Sequence, residues 1–148
     1  GWLSEDIEQA MARDGLQERV QLVGFVDDRD LPALYSLARV FAFPSWYEGF
    51  GVPVLEAMAC GTPVVTADNS SLPEVVGRAG LMVDAADTDA LALALFRLLT
   101  EEDLRQKLIA ASRAQAKRFT WQAAAGELLR LYEHVGRSLA RSDEQTGA

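Results

Sequence analysis

Residues 40–67 read VFAFPSWYEGFGVPVLEAMACGTPVVTA. Two runs in this stretch, VFAFP at 40–44 and PVVTA at 63–67, are short, strongly apolar and bounded by turn residues, the pattern of buried strands. Between them Val52-Pro53 opens a helix, because proline is tolerated in the first turn, where its missing N–H has no intrahelical partner. Strand, helix and strand in that order imply a parallel pair joined by a crossover. Apolar runs without polar alternation imply that helices cover both faces of the sheet.

The same alternation extends outward. VQLVG at 20–24 reads as a strand on the N-terminal side, and LMV at 81–83 as a weaker one on the C-terminal side. Asp30-Leu31-Pro32 and the capping box Ser71-Leu72-Pro73-Glu74 mark helix starts. After Asp87 the pattern turns helical, with expected helices at 88–99, 101–118 and 121–140, the last two capped by Thr100 and Thr120. Trp121, Ala125, Leu128, Tyr132, Val135 and Leu139 form one continuous face of the last helix, expected to pack on the sheet domain.

The expected fold is α/β: a Rossmann-like, doubly wound parallel sheet with C-terminal helices. Residues 1–140 read as one domain and RSDEQTGA, 141–148, as a frayed tail. Doubly wound sheets usually have five or six strands, whereas this chain opens on Gly-Trp-Leu-Ser at the start of a helix; at least one leading strand is expected before Gly1.

Composition narrows the function. The 148 residues are 49% apolar and 24% charged, ordinary for one globular domain, with a formal charge of −8. Residues 1–104 carry 6 Lys+Arg against 18 Asp+Glu, and residues 105–148 carry 8 against 4. An acidic body speaks against nucleic-acid binding, which rests on clustered cations. The basic end reads first as a solvated helix face; peripheral contact with an anionic membrane is the other reading. Cys60 is alone, so no internal disulfide forms, and a reducing, cytoplasmic setting is expected. No apolar run approaches the roughly 18 residues of a membrane span, and the start of the chain, with Glu5 and Asp6, does not read as a secretion leader.

The chemistry is expected in residues 45–65, since ligands of open α/β sheets bind beyond the carboxyl ends of the strands. Gly49 and Gly51 let the chain turn sharply and let a ligand approach the backbone. The following helix start offers unpaired N–H donors and a positive dipole end, a seat for phosphate oxygens. Glu48 and Glu56 flank that seat. A carboxylate only accepts hydrogen bonds and repels phosphate, which points to sugar or ribose hydroxyls as partners. The alternative is that Glu56 complements the helix dipole and Glu48 is solvated; their spacing does not decide between the two.

Other chemistries fit less well. Gly49-Phe50-Gly51 begins a dinucleotide fingerprint, but Val54 stands where the third glycine belongs, and no P-loop lysine follows. With one histidine, His134, and one cysteine, no His/Cys metal set forms and no Ser-His-Asp triad is supported; His134 reads as a helix-surface residue. From Val40 to Gly77 there is no Lys or Arg, so cations for a diphosphate would come from Arg39, Arg78 or preceding strands.

The run EGFGVPVLEAMACGTPVV, preceded by GFVDDRDLPALYSLARVFAFPS and followed by SSLPEVVGRAGLMV, resembles the C-terminal, nucleotide-sugar-binding domain of the group-1 retaining glycosyltransferases, family 4. The resemblance runs from about Val20 to about Tyr132 and includes the E-x7-E motif in its full context. It implies a GT-B fold, two Rossmann-like domains facing across a cleft, with a missing N-terminal domain that binds the acceptor. The donor implied is a nucleoside-diphosphate sugar, with no metal or other cofactor. Glu48 would contact the donor sugar near the reacting carbon and act as the catalytic residue. Glu56 would hold the ribose, and the backbone of Gly49, Phe50, Gly51 and Val52 the sugar and diphosphate. Val26 would meet the base through its backbone, with Asp28 as a further contact. The Arg and Lys that neutralise the diphosphate in that family lie on earlier strands, so these residues alone are expected to be inactive. Two other functions fit: a module that binds a nucleotide or nucleotide-sugar without transfer, and, less well, a Rossmann-like enzyme of another class such as a sugar-nucleotide epimerase.

Overall fold

A computed structural model describes residues 4–146, with side chains from 6 to 137. It divides into two compact units, Gly1–Leu31 and Pro32–Ala148.

In the first unit, α1 (Ser4–Arg13) ends at Gly15, whose φ of +66° suits a residue without Cβ. A turn follows, in which the N–H groups of Arg19 and Val20 donate to Leu16 O. The VQLVG run does not form the expected strand. Among the described residues no ladder includes it, and Gly24 interrupts the extended run with a φ of +64°. A strand needs a neighbour to satisfy its N–H and C=O groups, and apolar composition does not supply one. At the end of this unit Asp27 turns the chain: its Oδ1 accepts from the Arg29 N–H and Nε, both at 3.0 Å. The Arg29 guanidinium holds the Asp27 carboxyl below the usual carboxylate range.

The second unit follows the predicted alternation. After α2 (Leu31–Leu37) come β1 (Phe41–Phe43), α3 (Val52–Cys60), β2 (Val64–Ala67), α4 (Leu72–Val76), β3 (Leu81–Val83), α5 (Thr88–Thr100), α6 (Glu102–Ala116) and α7 (Trp121–Thr146). The sheet has the order β1-β2-β3, all parallel, with Phe41 opposite Val64 and Val65 opposite Leu81. All four residues of β2 are buried, as a central strand covered on both faces requires. Val65 packs with Ala94 and Leu98 of α5 and Leu108 of α6, while α3 lies against α6. Ser112 of α6 is fully buried, and its hydroxyl donates to Ala79 O at 2.8 Å.

Three local expectations are corrected. Ser71 precedes α4, but its hydroxyl makes no cap; it donates to Glu48 O instead. Helix α6 begins after Glu101 rather than Thr100, whose hydroxyl turns back to Phe96 O. The stripe on α7 does not pack on the sheet domain: Trp121 is 89% and Tyr132 65% exposed, and Ala125, Leu128 and Val135 are exposed as well, while the Leu139 side chain lies outside the described residues. A helix of 26 residues is about 39 Å long and outruns a sheet three strands wide. Its backbone stays helical to Thr146, through most of the stretch expected as a tail. Thr120 does cap α7, its Oγ1 accepting from the Ala123 N–H at 3.1 Å.

Candidate functional site

The loop between β1 and α3 leaves the carboxyl end of β1 and is tied to the loop that leaves the carboxyl end of β2. Asn69 Nδ2 donates to Ser45 O at 3.3 Å, the Glu48 N–H donates to Ser70 Oγ at 3.1 Å, and Ser71 Oγ donates to Glu48 O at 3.1 Å. Ser70 Oγ in turn donates to Asn69 Oδ1 at 3.1 Å. To make these bonds Ser70 adopts a φ of +48°, a left-handed conformation uncommon for a residue with a side chain. Asn69, Ser70 and Ser71 thus fix the backbone of Glu48. Their sequence signal was only that of a loop and a helix cap.

The Glu48 side chain is half-buried, and its carboxylate accepts no hydrogen bond from the described residues. Gly51 then reverses the chain into α3 with φ +97° and ψ 46°. A Cβ there would lie 2.7 Å from Leu72 Cδ2, and Leu72 is fully buried. A Cβ on Gly49 would meet nothing within 4 Å. The two glycines therefore differ: Gly51 is demanded by the turn and by packing, whereas Gly49 opens onto free space. Phe50 between them rests edge-on against Phe119, with ring centroids 5.8 Å apart.

The start of α3 leaves a row of donors. Pro53 has no N–H, and the Val54 and Leu55 N–H groups both donate to Gly51 O, at 3.0 and 3.2 Å. Among the described residues the N–H groups of Gly49, Phe50, Gly51 and Val52 have no acceptor. Four consecutive free amides at the positive end of a helix suit phosphate oxygens.

Glu56 lies one turn into α3 and is exposed. Its Oε2 accepts from the Tyr35 hydroxyl at 3.2 Å. Burial, and after it the hydrogen bond to Glu56, push the Tyr35 phenol up to about 12, so it remains a protonated donor near neutral pH. Tyr35 was not among the residues expected at the site; nothing in local sequence links it to a residue 21 positions away.

Glu48, Gly49, Phe50, Gly51, Val52 and Glu56 share one loop and helix. Val26, half-buried, and Asp28, exposed, belong to the first unit. No cation lies between Val40 and Gly77; Arg39 reaches Leu99 O at 3.5 Å, and Arg78 is exposed after α4. Trp46 and Tyr47, just before Glu48, are 71% and 80% exposed.

The site thus gathers an unpaired helix start, with Glu48 before it and Glu56 one turn into it, after the first strand of a parallel α/β sheet. The family model described as "Glycosyl transferases group 1" matches residues 1–101, and the chain belongs to that family. The chain is 42% identical over 133 residues to O-antigen chain mannosyltransferase B of Escherichia coli, covering 90% of this chain and 35% of that protein. Among solved structures, sucrose-phosphate synthase from Thermosynechococcus elongatus superposes with a TM-score of 0.81 at 34% identity, covering 93% of this chain and 35% of that one. Alr3699/HepE of Anabaena in complex with UDP superposes with a TM-score of 0.73 at 26% identity, covering 93% and 36%. The chain thus spans about a third of the length of these relatives. Among the described residues no helix is long and apolar enough to cross a membrane.

Proposed function

We propose that these residues form the donor-binding half of a retaining glycosyltransferase that moves a sugar from a nucleoside diphosphate to an acceptor hydroxyl. The observation that carries this is the row of free amides from Gly49 to Val52, flanked by Glu48 and Glu56. The amides and the helix dipole receive the diphosphate, whose negative charge grows as it departs. Glu56 accepts from the ribose hydroxyls. Glu48, held through its backbone by Ser70 and Ser71, accepts from the donor sugar near the reacting carbon and is the catalytic residue.

In the transfer, the bond from the anomeric carbon to the phosphate oxygen breaks and a bond to the acceptor oxygen forms on the same face. The acceptor's proton passes to the departing phosphate, and no metal takes part. The name of the Escherichia coli relative supports mannose as the sugar, and the UDP complex of Alr3699/HepE supports a nucleoside diphosphate as the carrier. The absence of Lys and Arg from Val40 to Gly77 supports a site completed by residues outside this chain. These 148 residues then bind donor without transferring sugar, with an N-terminal domain supplying the acceptor site. The lone, half-buried Cys60 supports a cytoplasmic setting.

Calorimetric titration of the full-length protein with UDP, GDP and ADP and their sugars, beside Glu56→Ala, tests the donor site. One diphosphate binds and the variant loses at least tenfold in affinity; equal binding by both proteins refutes the role of Glu56. Turnover by Glu48→Gln in the full-length protein separates transfer from binding alone, since unchanged turnover removes Glu48 from the chemistry.

A further inference from the structure

Tyr35 is anchored at three points. The residue is only 9% exposed, and its ring stands edge-on to Phe41, with centroids 5.4 Å apart and planes at 87°. Its carbonyl accepts from Thr62 Oγ1 at 2.7 Å, and Thr62 follows the left-handed Gly61 that ends α3. Its hydroxyl donates to Glu56 Oε2 at 3.2 Å. The tyrosine is therefore tied to both the end and the middle of the helix whose start forms the anion seat.

Glu56 is the opposite case. It is exposed, and a long carboxylate side chain on a helix surface samples several rotamers unless something holds it. Tyr35 is the only hydrogen-bond donor to Glu56 among the described residues. That bond engages Oε2 and leaves Oε1 without a partner among the described residues. A carboxylate oriented in this way meets a ligand hydroxyl without first giving up rotamer freedom.

We infer that Tyr35 is a positioning residue for ribose recognition: its hydroxyl fixes Oε2 of Glu56 so that Oε1 accepts from the ribose hydroxyls of the bound nucleotide. The inference rests on the donor reading above. It goes further in assigning a function to a buried tyrosine that acts through Glu56. Because the phenol stays protonated up to about 12, the donor persists through the neutral range.

The test compares the full-length protein with Tyr35→Phe, Glu56→Ala and the double variant. Phenylalanine keeps the ring and its contact with Phe41, so packing is preserved. Each protein is titrated calorimetrically with UDP, GDP and ADP and with the 2′,3′-dideoxy counterpart of each. Tyr35→Phe is expected to weaken the binding ribonucleotide about five- to twentyfold and its dideoxy counterpart less than twofold, with the double variant no weaker than Glu56→Ala. An equal loss for both forms of the nucleotide, or additive losses in the double variant, overturns the inference, because a merely structural tyrosine acts on every ligand alike. If Glu56→Ala fails to change the preference for ribose, the Glu56 assignment fails instead. If no nucleotide binds the unaltered protein, the donor reading itself fails.

Discussion

Gly51→Ala and Gly49→Ala make a pair of perturbations whose consequences are expected to diverge sharply. At Gly51 the backbone stands at φ +97°, where a residue with Cβ costs about 1–2 kcal/mol. The new methyl would also lie 2.7 Å from Leu72 Cδ2, so the fully buried Leu72 side chain at the start of α4 would have to shift. Overpacking of that kind costs about 1–3 kcal/mol. Together the two effects predict a loss of about 2–5 kcal/mol, which for a chain of this size lowers the melting temperature by about 5–20 °C. Gly49 has neither constraint: its φ is not positive, and a methyl there meets nothing within 4 Å. Alanine at 49 is expected to leave stability within about 1 kcal/mol, or to raise it slightly by restricting the unfolded chain. Its methyl instead enters the space beside the free amides, so nucleoside diphosphate binding should fall at least tenfold while the melting temperature holds. Urea unfolding followed by circular dichroism, with calorimetric titration on the same samples, measures both quantities. A Gly51→Ala variant within 0.5 kcal/mol of the parent would refute the packing argument. A Gly49→Ala variant with undiminished affinity would show that the ligand does not approach there.

Three further outcomes follow from contacts described above. Ser112→Ala removes a fully buried donor and leaves Ala79 O unpaired, costing about 1–3 kcal/mol by urea unfolding. Tyr35 is held above its ordinary pKa of 10, so its neutral form favours the folded state: that stability is complete below pH 10 and is lost as pH rises through about 12. Ultraviolet titration should show a phenol ionising near 12 that is absent from Tyr35→Phe. Glu102 moves the other way. The Arg105 guanidinium, then the Gln106 amide, pull its carboxyl down to about 2, so its contribution is complete above 4.5 and fades as pH falls through about 2; acid unfolding of Glu102→Gln should be flatter across that window.

The three strands of the sheet were readable because a buried parallel strand is largely apolar, as in Val64–Ala67, where Thr66 is the one polar residue, and turn residues bound each run. VQLVG has the same composition but no strand, since composition carries no information about a pairing neighbour. The loop from Glu48 to Val52 falls where its glycines and Pro53 place it, between β1 and α3. What holds it was not readable. Ser71 followed by Glu74 has the pattern of a local cap, yet its hydroxyl bonds to Glu48 O, 23 positions away. Tyr35 reads as one more core aromatic until its hydroxyl is seen on Glu56. The apolar stripe of α7 was clear as a stripe, but periodicity reveals which residues share a face and not what covers it.

The ties between the two loops engage main-chain oxygen and nitrogen of Ser45 and Glu48, together with side chains of Asn69, Ser70 and Ser71. None of them involves the side chains of Trp46 or Tyr47, which project into solvent. The scaffold is thereby insulated from these two positions. A change of side chain at either position leaves each of these ties in place, so the position of the Glu48 backbone does not depend on what stands at 46 or 47.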